Sequence, residues 1–300
     1  MGPFIGLVIL FIVLAVLNND FINPANIKNL LRQVSINALI AFGMTFVILT
    51  GGIDLSVGSI LALSSAFMAS AVTNGMNPEV AVLLSVVAGV GLGLVNGIII
   101  AYGKVVPFIA TLATMTVYRG ATLVFTNGNP ISGLTTDAVF KAIGQGYLLD
   151  IPVPAIIMLF TFGILYLVLG KTPLGRQTYA VGGNEKVSFI SGIKINRVKI
   201  FAYALSGCLC ALAGVILTSR LNSAQPTAGV GYELDAIAAV VLGGTSMSGG
   251  KGSVSGTLIG ALIIATLNNG LNILNVSSFY QQVVKGIVIL LAVLMDRKKS

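Results

Sequence analysis

The sequence has 300 residues, of which 56% are hydrophobic and 9% are charged, and its mean hydropathy is +0.98. This composition excludes an ordinary soluble globular protein and indicates an integral membrane protein whose helices need roughly 20 apolar residues each. The 17 Lys and Arg outnumber the 9 Asp and Glu. Their excess lies in the segment 171–199 and at the C-terminal end, where it predicts cytoplasmic loops and not a nucleic-acid partner.

Apolar runs predict ten transmembrane helices, so the expected fold class is an all-α polytopic membrane protein with a single transmembrane domain over residues 1–300. The first run lacks the basic start and the small-residue cleavage site of a signal peptide, which favours a membrane span. In chain order, the ten runs lie near residues 4–17, 34–50, 55–73, 80–102, 107–126, 151–170, 200–218, 236–250, 253–272 and 279–295.

The distribution of basic residues predicts which loops face the cytoplasm. Segments 171–199 and 296–300 are rich in Lys and Arg, so both are expected to be cytoplasmic. An even number of spans separates them, as this requires. An even number also precedes 171–199, which places both termini in the cytoplasm. The segments 127–150 and 219–235 are then external.

A weak internal repeat relates the two halves of the chain. Asn96-Gly97 near the end of the fourth span matches Asn269-Gly270 near the end of the ninth. Asp54-Leu55 before the third span resembles Glu233-Leu234-Asp235 before the eighth. An offset of five spans reverses the orientation in the membrane, so the matches predict two inverted halves with the pathway at their interface.

The stretch Gly51-Gly-Ile-Asp-Leu-Ser-Val-Gly58 combines glycines with a carboxylate at membrane depth. An ionised Asp costs about 3 kcal/mol there, so Asp54 is not expected to face lipid. One interpretation is a broken helix beside the translocation pathway. Its candidate pathway residues are Gly52, Asp54, Ser56 and Gly58. The other is a helix cap, in which the Asp54 carboxylate accepts a hydrogen bond from the N–H of Ser56 or Val57. The two can hold together.

A long polar segment, 220–235, joins the seventh and eighth predicted spans on the external side. It is rich in turn-forming residues, and such a loop is either a docking surface for a partner or substrate, or a solvated connection. Its candidate docking residues are Arg220, Asn222, Gln225, Glu233 and Asp235. Two basic residues near the second span, Lys28 and Arg32, fall on the same side, which is a mild exception to the charge rule.

The predicted cytoplasmic segment contains Val181-Gly-Gly-Asn-Glu-Lys-Val-Ser-Phe-Ile-Ser-Gly-Ile193. Asn184 or Gly183 can start a short helix with Glu185 in its first turn, where the helix dipole favours a carboxylate. Gly192 can end that helix. A short cytoplasmic helix between two spans has the form of a docking element, and a solvated basic loop is the other interpretation.

A glycine-rich stretch, 243–253, is similar to a phosphate-binding loop but departs from its pattern. Thr245 stands where the pattern requires a glycine, and Gly252 stands where it requires a hydroxyl. We therefore predict a tight turn between the eighth and ninth spans. Gly249, Gly250 and Gly252 allow its positive φ angles, and no nucleotide is bound there.

Taken together, these segments resemble the membrane subunit of bacterial ribose ABC importers over nearly the whole chain. The similarity is carried by the central segment, by Gly52-Ile-Asp-Leu-Ser-Val-Gly58, by Gln225-Pro-Thr-Ala-Gly229 and by Gly231-Tyr-Glu-Leu-Asp-Ala-Ile-Ala-Ala-Val-Val-Leu-Gly-Gly-Thr245. The resemblance implies a homodimer of ten-helix subunits in the bacterial cytoplasmic (inner) membrane. It also implies a sugar-binding protein outside and an ATPase subunit inside, which binds ATP and magnesium. No cofactor, metal or catalytic residue is then expected on this chain.

The resemblance further implies which residues of the central segment, about 171–199, couple to the ATPase. The matching positions are Gly182, Gly183, Asn184, Glu185, Ser191, Gly192 and Ile193. Family members often have Glu-Ala-Ala where this sequence has Glu185-Lys186-Val187, so the detailed ATPase contact is expected to differ. They usually have a short hydrophilic segment before the first span, where only Met-Gly-Pro stands here, so a truncated or misassigned start is a further expectation.

The predicted function is the translocation of ribose, or of a related monosaccharide, by alternating access driven by ATP hydrolysis on the partner subunits. The alternative from another class is an ion-coupled secondary sugar transporter with Asp54 as the coupling carboxylate. The scarcity of intramembrane charge disfavours it, because proton relays employ chains of Asp, Glu or His. A docking-like central loop disfavours a passive channel.

Overall fold

The computed structural model describes residues 2–134 and 137–297 of the chain. This part is all-α, as predicted, with thirteen α-helices, a short 3-10 helix (Asn19–Ile22) and four very short strands. The helices are α1 (Gly2–Leu17), α2 (Pro24–Leu49), α3 (Val57–Thr73), α4 (Pro78–Ala101), α5 (Pro107–Thr126), α6 (Ala138–Gln145), α7 (Val153–Lys171), α8 (Pro173–Gly183), α9 (Glu185–Ile190), α10 (Ile195–Leu221), α11 (Tyr232–Leu242), α12 (Val254–Ile273) and α13 (Ser278–Arg297). The strands are β1 (Ile131–Ser132), β2 (Tyr147–Leu148), β3 (Ile151–Pro152) and β4 (Ser223–Ala224). Lys298 and Lys299 of the predicted basic tail lie outside the described residues.

Each predicted span overlaps a helix, but not all of these helices have the length of a membrane crossing. Six of them, α2, α4, α5, α7, α10 and α12, are long and apolar enough to cross a membrane, and α1 and α3 are apolar but shorter. Proline lies in the first turn of α2, α4 and α5, at Pro24, Pro78 and Pro107. Proline fits there because the first N–H groups of a helix have no intrahelical partner.

Helix α11 corrects the predicted span at 236–250. It has 11 residues, and at about 1.5 Å per residue it is roughly 16 Å long, about half of a 30 Å bilayer core. Gly243 caps its end, and Gly244 follows with a φ of 88°. These glycines stop the helix after an apolar run, and the residues that follow, 245–253, are mostly polar or glycine. The predicted span is therefore too long because it includes part of the turn.

Helix α2 is the central element of the core. It starts well before the predicted span because the Asn23 side chain accepts a hydrogen bond from Ala25 N–H at 3.0 Å, and Pro24 follows the cap. In its most apolar stretch 78% of the residues are buried, against 28% in α5. Helices α7, α10, α11 and α12 pack around α2, whereas α5 keeps a broad exposed apolar face.

Helices α4 and α10 share a seam of small residues. Gly89, Gly93 and Gly97 recur at every fourth position of α4, and each faces α10. A Cβ on Gly93 would overlap the Tyr203 carbonyl oxygen, and one on Gly97 would lie 2.8 Å from the Ile200 Cα. Apolar helices in lipid gain no free energy by leaving water, so van der Waals contact from this close approach joins the two helices.

The segments 127–150 and 219–235 are joined at one end of the bundle, which we call the ribbon end. Strand β1 pairs antiparallel with β4, so that Ile131 lies opposite Ala224. Behind this ribbon, the Gly144 N–H of α6 donates a hydrogen bond to Ser219 Oγ at 2.9 Å. The prediction that both segments lie on one side of the membrane is consistent with this pairing.

The basic residues at the start of α2 have partners at the ribbon end. Lys28 forms an ion pair with Asp150, and Arg32 donates to the Gln145 carbonyl oxygen at 3.1 Å. Both cations also lie near the Tyr147 ring, 5.4 Å and 4.8 Å from its centroid. These contacts stabilise the positive charges of Lys28 and Arg32 at the ribbon end, although the charge rule would place them at the opposite end of the bundle.

The opposite end of the bundle, the hairpin end, carries α8, α9 and the turn 243–253. Gly250 N–H donates to the Leu49 carbonyl oxygen at 3.0 Å, and the Tyr179 hydroxyl donates to the Gly252 carbonyl oxygen at 2.8 Å. Burial raises the pKa of the Tyr179 phenol, so the hydroxyl keeps its proton. The central segment and the glycine turn therefore lie at the same end.

The predicted conformation of the glycine turn is confirmed. Gly249, Gly250 and Gly252 have φ angles of 83°, 71° and 155°, and Ser246 N–H closes the turn by donating to the Lys251 carbonyl oxygen at 2.9 Å. The Lys251 side chain is exposed. The turn thus connects α11 to α12 without the strand that precedes a phosphate-binding loop.

Candidate functional site

The short helix predicted in the central segment is present as α9. The Asn184 side chain caps it by accepting a hydrogen bond from Val187 N–H at 3.0 Å, and Glu185 occupies the first turn, as predicted. Gly192 follows the helix with a φ of 81°. Glu185 forms an ion pair with Lys199 of α10 at 2.8 Å, which links α9 to the next long helix.

Helix α9 presents apolar side chains away from the bundle. Val187, Phe189 and Ile190 are 57%, 72% and 83% exposed. An open cavity of about 1050 Å³ lies beside them, between α9, the start of α10 and Tyr102 at the end of α4. Clustered exposed apolar side chains mark a contact with another molecule. The sequence signal for this surface is the run Val187-Ser-Phe-Ile190 within a basic segment.

The residues that follow α9 complete the predicted coupling set. Ser191 caps the helix, its N–H donating to the Val187 carbonyl oxygen at 3.0 Å. Gly192 and Ile193 line the cavity beside α9. The Ile193 N–H donates to the Ser188 carbonyl oxygen at 3.0 Å, so this segment is folded back onto α9 and is not an extended loop.

Gly182 at the end of α8 and Gly250 in the turn bring three backbone segments into contact. A Cβ on Gly182 would overlap the Leu49 carbonyl oxygen at the end of α2. A Cβ on Gly250 would lie 2.8 Å from the Gly183 Cα. No larger residue fits at Gly182 or Gly250 without moving a backbone, so α8, α2 and the turn 243–253 meet directly.

The break between α2 and α3 borders the same region. Residues 50–56 are not helical, and Gly51 has a φ of 76°. A cavity of about 330 Å³ lies between this break and the start of α9. Its lining includes one predicted pathway residue and four predicted coupling residues, namely Gly52, Gly182, Gly183, Asn184 and Glu185.

Asp54 is 0% exposed and accepts three hydrogen bonds. Its Oδ1 accepts from Ser56 N–H at 3.0 Å and from Ser56 Oγ at 2.6 Å, and its Oδ2 accepts from Ser206 Oγ of α10 at 2.9 Å. Asn96 of α4 donates to Ser56 Oγ at 2.8 Å. The predicted hydrogen bond from Ser56 N–H is present, but Ser56 is itself the N-cap residue of α3 and no side chain of the described residues caps the first turn. The carboxylate instead joins the residues before α3 to α10 directly, and to α4 through Ser56.

The predicted pathway residue Gly58 lies against the segment between α10 and α11. A Cβ on Gly58 would overlap the Gly229 carbonyl oxygen. Arg119 of α5 donates to the carbonyl oxygens of Pro226 and Ala228 in the same segment. This segment, predicted as a surface loop, therefore folds inward to the start of α3, because two glycines remove the side chains between the backbones.

Sequence reasoning missed Arg119, although the signal was present. A charge near the middle of the apolar run 107–126 is as costly in lipid as the Asp54 carboxylate. The structure accounts for it with the two carbonyl acceptors. Arg119 also borders a cavity of about 410 Å³ together with Ser59 and Glu233, so Glu233 of the predicted docking set lies beside this cation.

The remaining predicted docking residues do not form one surface. Asn222 ends α10 with a φ of 48°, and Gln225 donates to Ser223 Oγ at 3.0 Å. Arg220 and Asp235 line a different cavity, of about 270 Å³.

Asp235 is predicted to lie on an external docking surface, but it is buried. It is 5% exposed and forms an ion pair with Lys285 of α13 at 3.0 Å. Helix α11 starts at Tyr232, so its first turn directs Asp235 toward α13 and into the bundle. A turn-rich polar sequence gives no indication of this, because the inward direction depends on where the helix begins.

Comparison with known proteins agrees with these features. Residues 26–293 match the protein family described as the permease component of the branched-chain amino acid transport system. The chain is 67% identical to the ribose import permease protein RbsC of Bacillus subtilis, over 100% of this chain and 93% of that protein. It is 54% identical to RbsC of Escherichia coli K12, over 99% of this chain and 93% of the relative.

More distant relatives are named for other sugars. The D-allose transport system permease protein AlsC of Escherichia coli K12 is 41% identical over 99% of this chain and 91% of that protein. The L-arabinose permease protein AraH of the same organism is 38% identical over 100% of this chain and 90% of the relative. No solved structure was found to match the chain.

Proposed function

This chain belongs to the family of ribose import permeases, and from that premise we propose that it carries ribose across the bacterial cytoplasmic (inner) membrane. The observation that carries the proposal is the similarity to ribose permeases over the full chain length. The chain is the membrane subunit of an ABC importer and is not itself a catalyst. Translocation proceeds by alternating access, in which two arrangements of the helices expose the pathway to either side in turn.

We place the contact with the partner ATPase on α9. Its exposed Val187, Phe189 and Ile190, beside the open cavity of about 1050 Å³, suit a protein partner. Movement of α9 reaches the rest of the bundle through the Glu185–Lys199 ion pair to α10. The close backbone contacts of α8 with α2 and the glycine turn provide a second, stiffer route.

The proposed architecture is a single transmembrane domain over residues 1–300, with ten crossings in two inverted halves. The sequence matches support the repeat, with Asn96-Gly97 corresponding to Asn269-Gly270. The side-chain partners of the two asparagines differ, because Asn96 donates to Ser56 Oγ and Asn269 exchanges hydrogen bonds with Asn26 of α2. The short α11 completes its crossing with the non-helical residues on either side of it.

We further propose that the hairpin end is cytoplasmic, as are both termini, and that the ribbon end is external. The assembly is a homodimer of this chain with an ATPase at the hairpin end and a sugar-binding protein at the ribbon end. Arg220, Asn222, Gln225 and Glu233 stay candidates for contact with that protein or with sugar. The Lys and Arg of the segment 171–199 support this orientation.

ATP and magnesium are assigned to the partner ATPase, with no cofactor on this chain, and two variants of the glycine turn test this. We expect Lys251→Ala to leave ribose uptake largely intact, because the side chain is exposed. Gly250→Val should lower uptake strongly, because a β-branched residue tolerates a φ of 71° poorly and its Cβ would lie 2.8 Å from the Gly183 backbone. Uptake by cells that express each variant, normalised to protein in the membrane, measures both.

A phosphate site would reverse the order of these variants, because its Lys holds the terminal phosphates. Equilibrium dialysis of the isolated chain with ATP supplies an independent measurement. Saturable ATP binding that is lost in Lys251→Ala would contradict the assignment of nucleotide to the partner.

The proposed importer also makes a prediction that separates it from ion-coupled transport through Asp54. In proteoliposomes with the candidate ATPase and binding protein, ribose uptake should require ATP and stop with vanadate, and ionophores should have little effect. Asp54→Asn keeps the side-chain volume and a hydrogen-bonding group for Ser206. We expect it to slow uptake while the remaining uptake stays vanadate-sensitive, since the carboxylate joins helices and is buried.

The unsubstituted protein is the reference, and Ser206→Ala, which removes one donor to the carboxylate, is the matched control for altered packing. Ribose accumulation that follows an ion gradient without ATP, and that Asp54→Asn abolishes, would establish the secondary transporter in place of the importer.

A further inference from the structure

A polar cavity of about 270 Å³ lies toward the ribbon end of a single subunit, between α2, α10, α11, α12 and α13. The cavity adjoins the end of α10, the starts of α11 and α13, and the last turns of α12, and these parts of the helices all lie toward the ribbon end. Five of its lining residues carry a side-chain carboxamide. These are Gln33, Asn37, Asn268, Asn272 and Gln281.

The cavity is lined by one carboxylate and two cations, one of which is paired with the carboxylate. Asp235 Oδ2 lies 3.0 Å from Lys285 Nζ, and Asn268 Nδ2 approaches the same oxygen at 3.4 Å. Arg220 also lines the cavity and forms no ion pair within residues 2–134 and 137–297. Its guanidinium therefore offers several N–H donors to a ligand.

One polar atom in the cavity wall has no hydrogen-bond partner among the described residues. Asn268 Oδ1 is buried and accepts no hydrogen bond from any group in the described part of the chain. A buried acceptor without a partner costs about 1–3 kcal/mol. A donor supplied by a ligand at this position would remove that cost, and a hydroxyl group is such a donor.

From these observations we infer that the cavity is a monosaccharide-binding subsite inside each subunit, near the external end of the pathway. The inference rests on the proposed function, which it deepens by locating one place where the sugar is held. Carboxamides suit a sugar because each offers a donor and an acceptor, as each hydroxyl also does. Tyr232, which lines the cavity as well, supplies an apolar ring for the C–H face of a sugar.

The same features select against other small ligands. A metal cation would meet Lys285 and Arg220 beside a single carboxylate that already has a cationic partner. A lipid chain would leave Asn268 Oδ1 without a hydrogen-bond donor, which costs free energy. A neutral polyhydroxyl compound of the size of a pentose supplies that donor and leaves the ion pair in place.

The test measures radiolabelled ribose binding to the full chain in nanodiscs, together with ribose uptake by cells. Asn268→Ala removes the unpaired acceptor. Gln281→Ala removes a cavity-wall carboxamide whose Nε2 donates to Asn272 Oδ1 and to the Val276 carbonyl oxygen, and with it the Gln281 acceptor oxygen. Gln282→Ala is the matched control, because Gln282 is exposed and is next to Gln281 on α13. We expect each cavity variant to weaken ribose binding about tenfold, the effect of one well-placed hydrogen bond, and to raise the KM of uptake, while the control changes neither.

Gln281→Ala keeps the test decisive if Asn268→Ala folds poorly, because Gln281 lies at the start of α13 and is only half-buried. Cavity variants that bind and take up ribose like the unsubstituted chain would overturn the subsite and leave the importer intact. Absence of saturable ribose binding to a chain that supports uptake would overturn it too. If the unsubstituted chain with its partners takes up no ribose, the proposed function fails, and the subsite falls with it.

Discussion

Phe189→Asp is expected to abolish ribose uptake while the protein still folds and inserts. Phe189 is 72% exposed on α9, so the change removes little packing, and an exposed substitution of this kind alters stability by less than about 0.5 kcal/mol. If Phe189 enters a pocket of the ATPase, its loss costs about 2 kcal/mol or more, as for aromatic anchors in other interfaces. That corresponds to a roughly 30-fold weaker complex.

Two measurements check this result. Co-purification of the ATPase with the tagged permease reports the complex, and vanadate-sensitive uptake in proteoliposomes reports coupling. Phe189→Leu is the matched control, because it keeps an apolar side chain on the same face of α9 and should retain most of both activities. A Phe189→Asp protein that holds the ATPase and transports at the normal rate would show that α9 is not the contact.

The features of α9 and of the glycine turn could be predicted because their causes are local. Asn184 and Glu185 are a cap and a first-turn carboxylate only a few residues from the hydrogen bonds that they influence. Gly249 and Gly250 take positive φ angles at the turn that their own sequence marks. In both cases the residues that form the local structure are close together in the sequence, so the sequence pattern alone predicts it.

The inward fold of the segment 222–231 could not be predicted in the same way. It depends on contacts between residues far apart in the chain, with Gly58 against Gly229 and with Arg119 holding two carbonyl oxygens. Each of these residues is visible in the sequence. Their pairing is not, because it is set by how α3 and α5 pack against the segment.

The length of α11 is an intermediate case. Gly243 and Gly244 mark its end, and the polar and glycine residues at 245–253 agree with it, but the predicted span 236–250 continues past these signals. The predicted span starts at residue 236, whereas α11 starts at Tyr232. Asp235 is therefore expected in a surface loop, although it lies in the first turn of the helix and lines the cavity. A shift of this size in one short helix changes which side chains face a site, although the order of the helices remains correct.

The largest effect on folding is expected for Gly93→Leu in the seam between α4 and α10. A Cβ there would overlap the Tyr203 carbonyl oxygen, and neither backbone can withdraw without opening the seam on both sides. Overpacking of a core costs about 1–3 kcal/mol when side chains can adjust, so a clash between backbones should exceed that range. We expect little Gly93→Leu protein in the membrane and a clearly lower temperature of aggregation in detergent.

Gly91→Leu is the control that isolates the seam. Gly91 is two residues away on α4 and is exposed, and a Cβ at this position would have no neighbouring atom within 4 Å. Both substitutions add the same side chain to the same helix and raise its intrinsic helix propensity by a similar amount, up to about 1 kcal/mol. Only the contact with α10 differs, so Gly91→Leu should accumulate like the unsubstituted protein. Equal amounts and equal aggregation temperatures for the two variants would mean that the close approach at Gly93 does not hold α4 to α10.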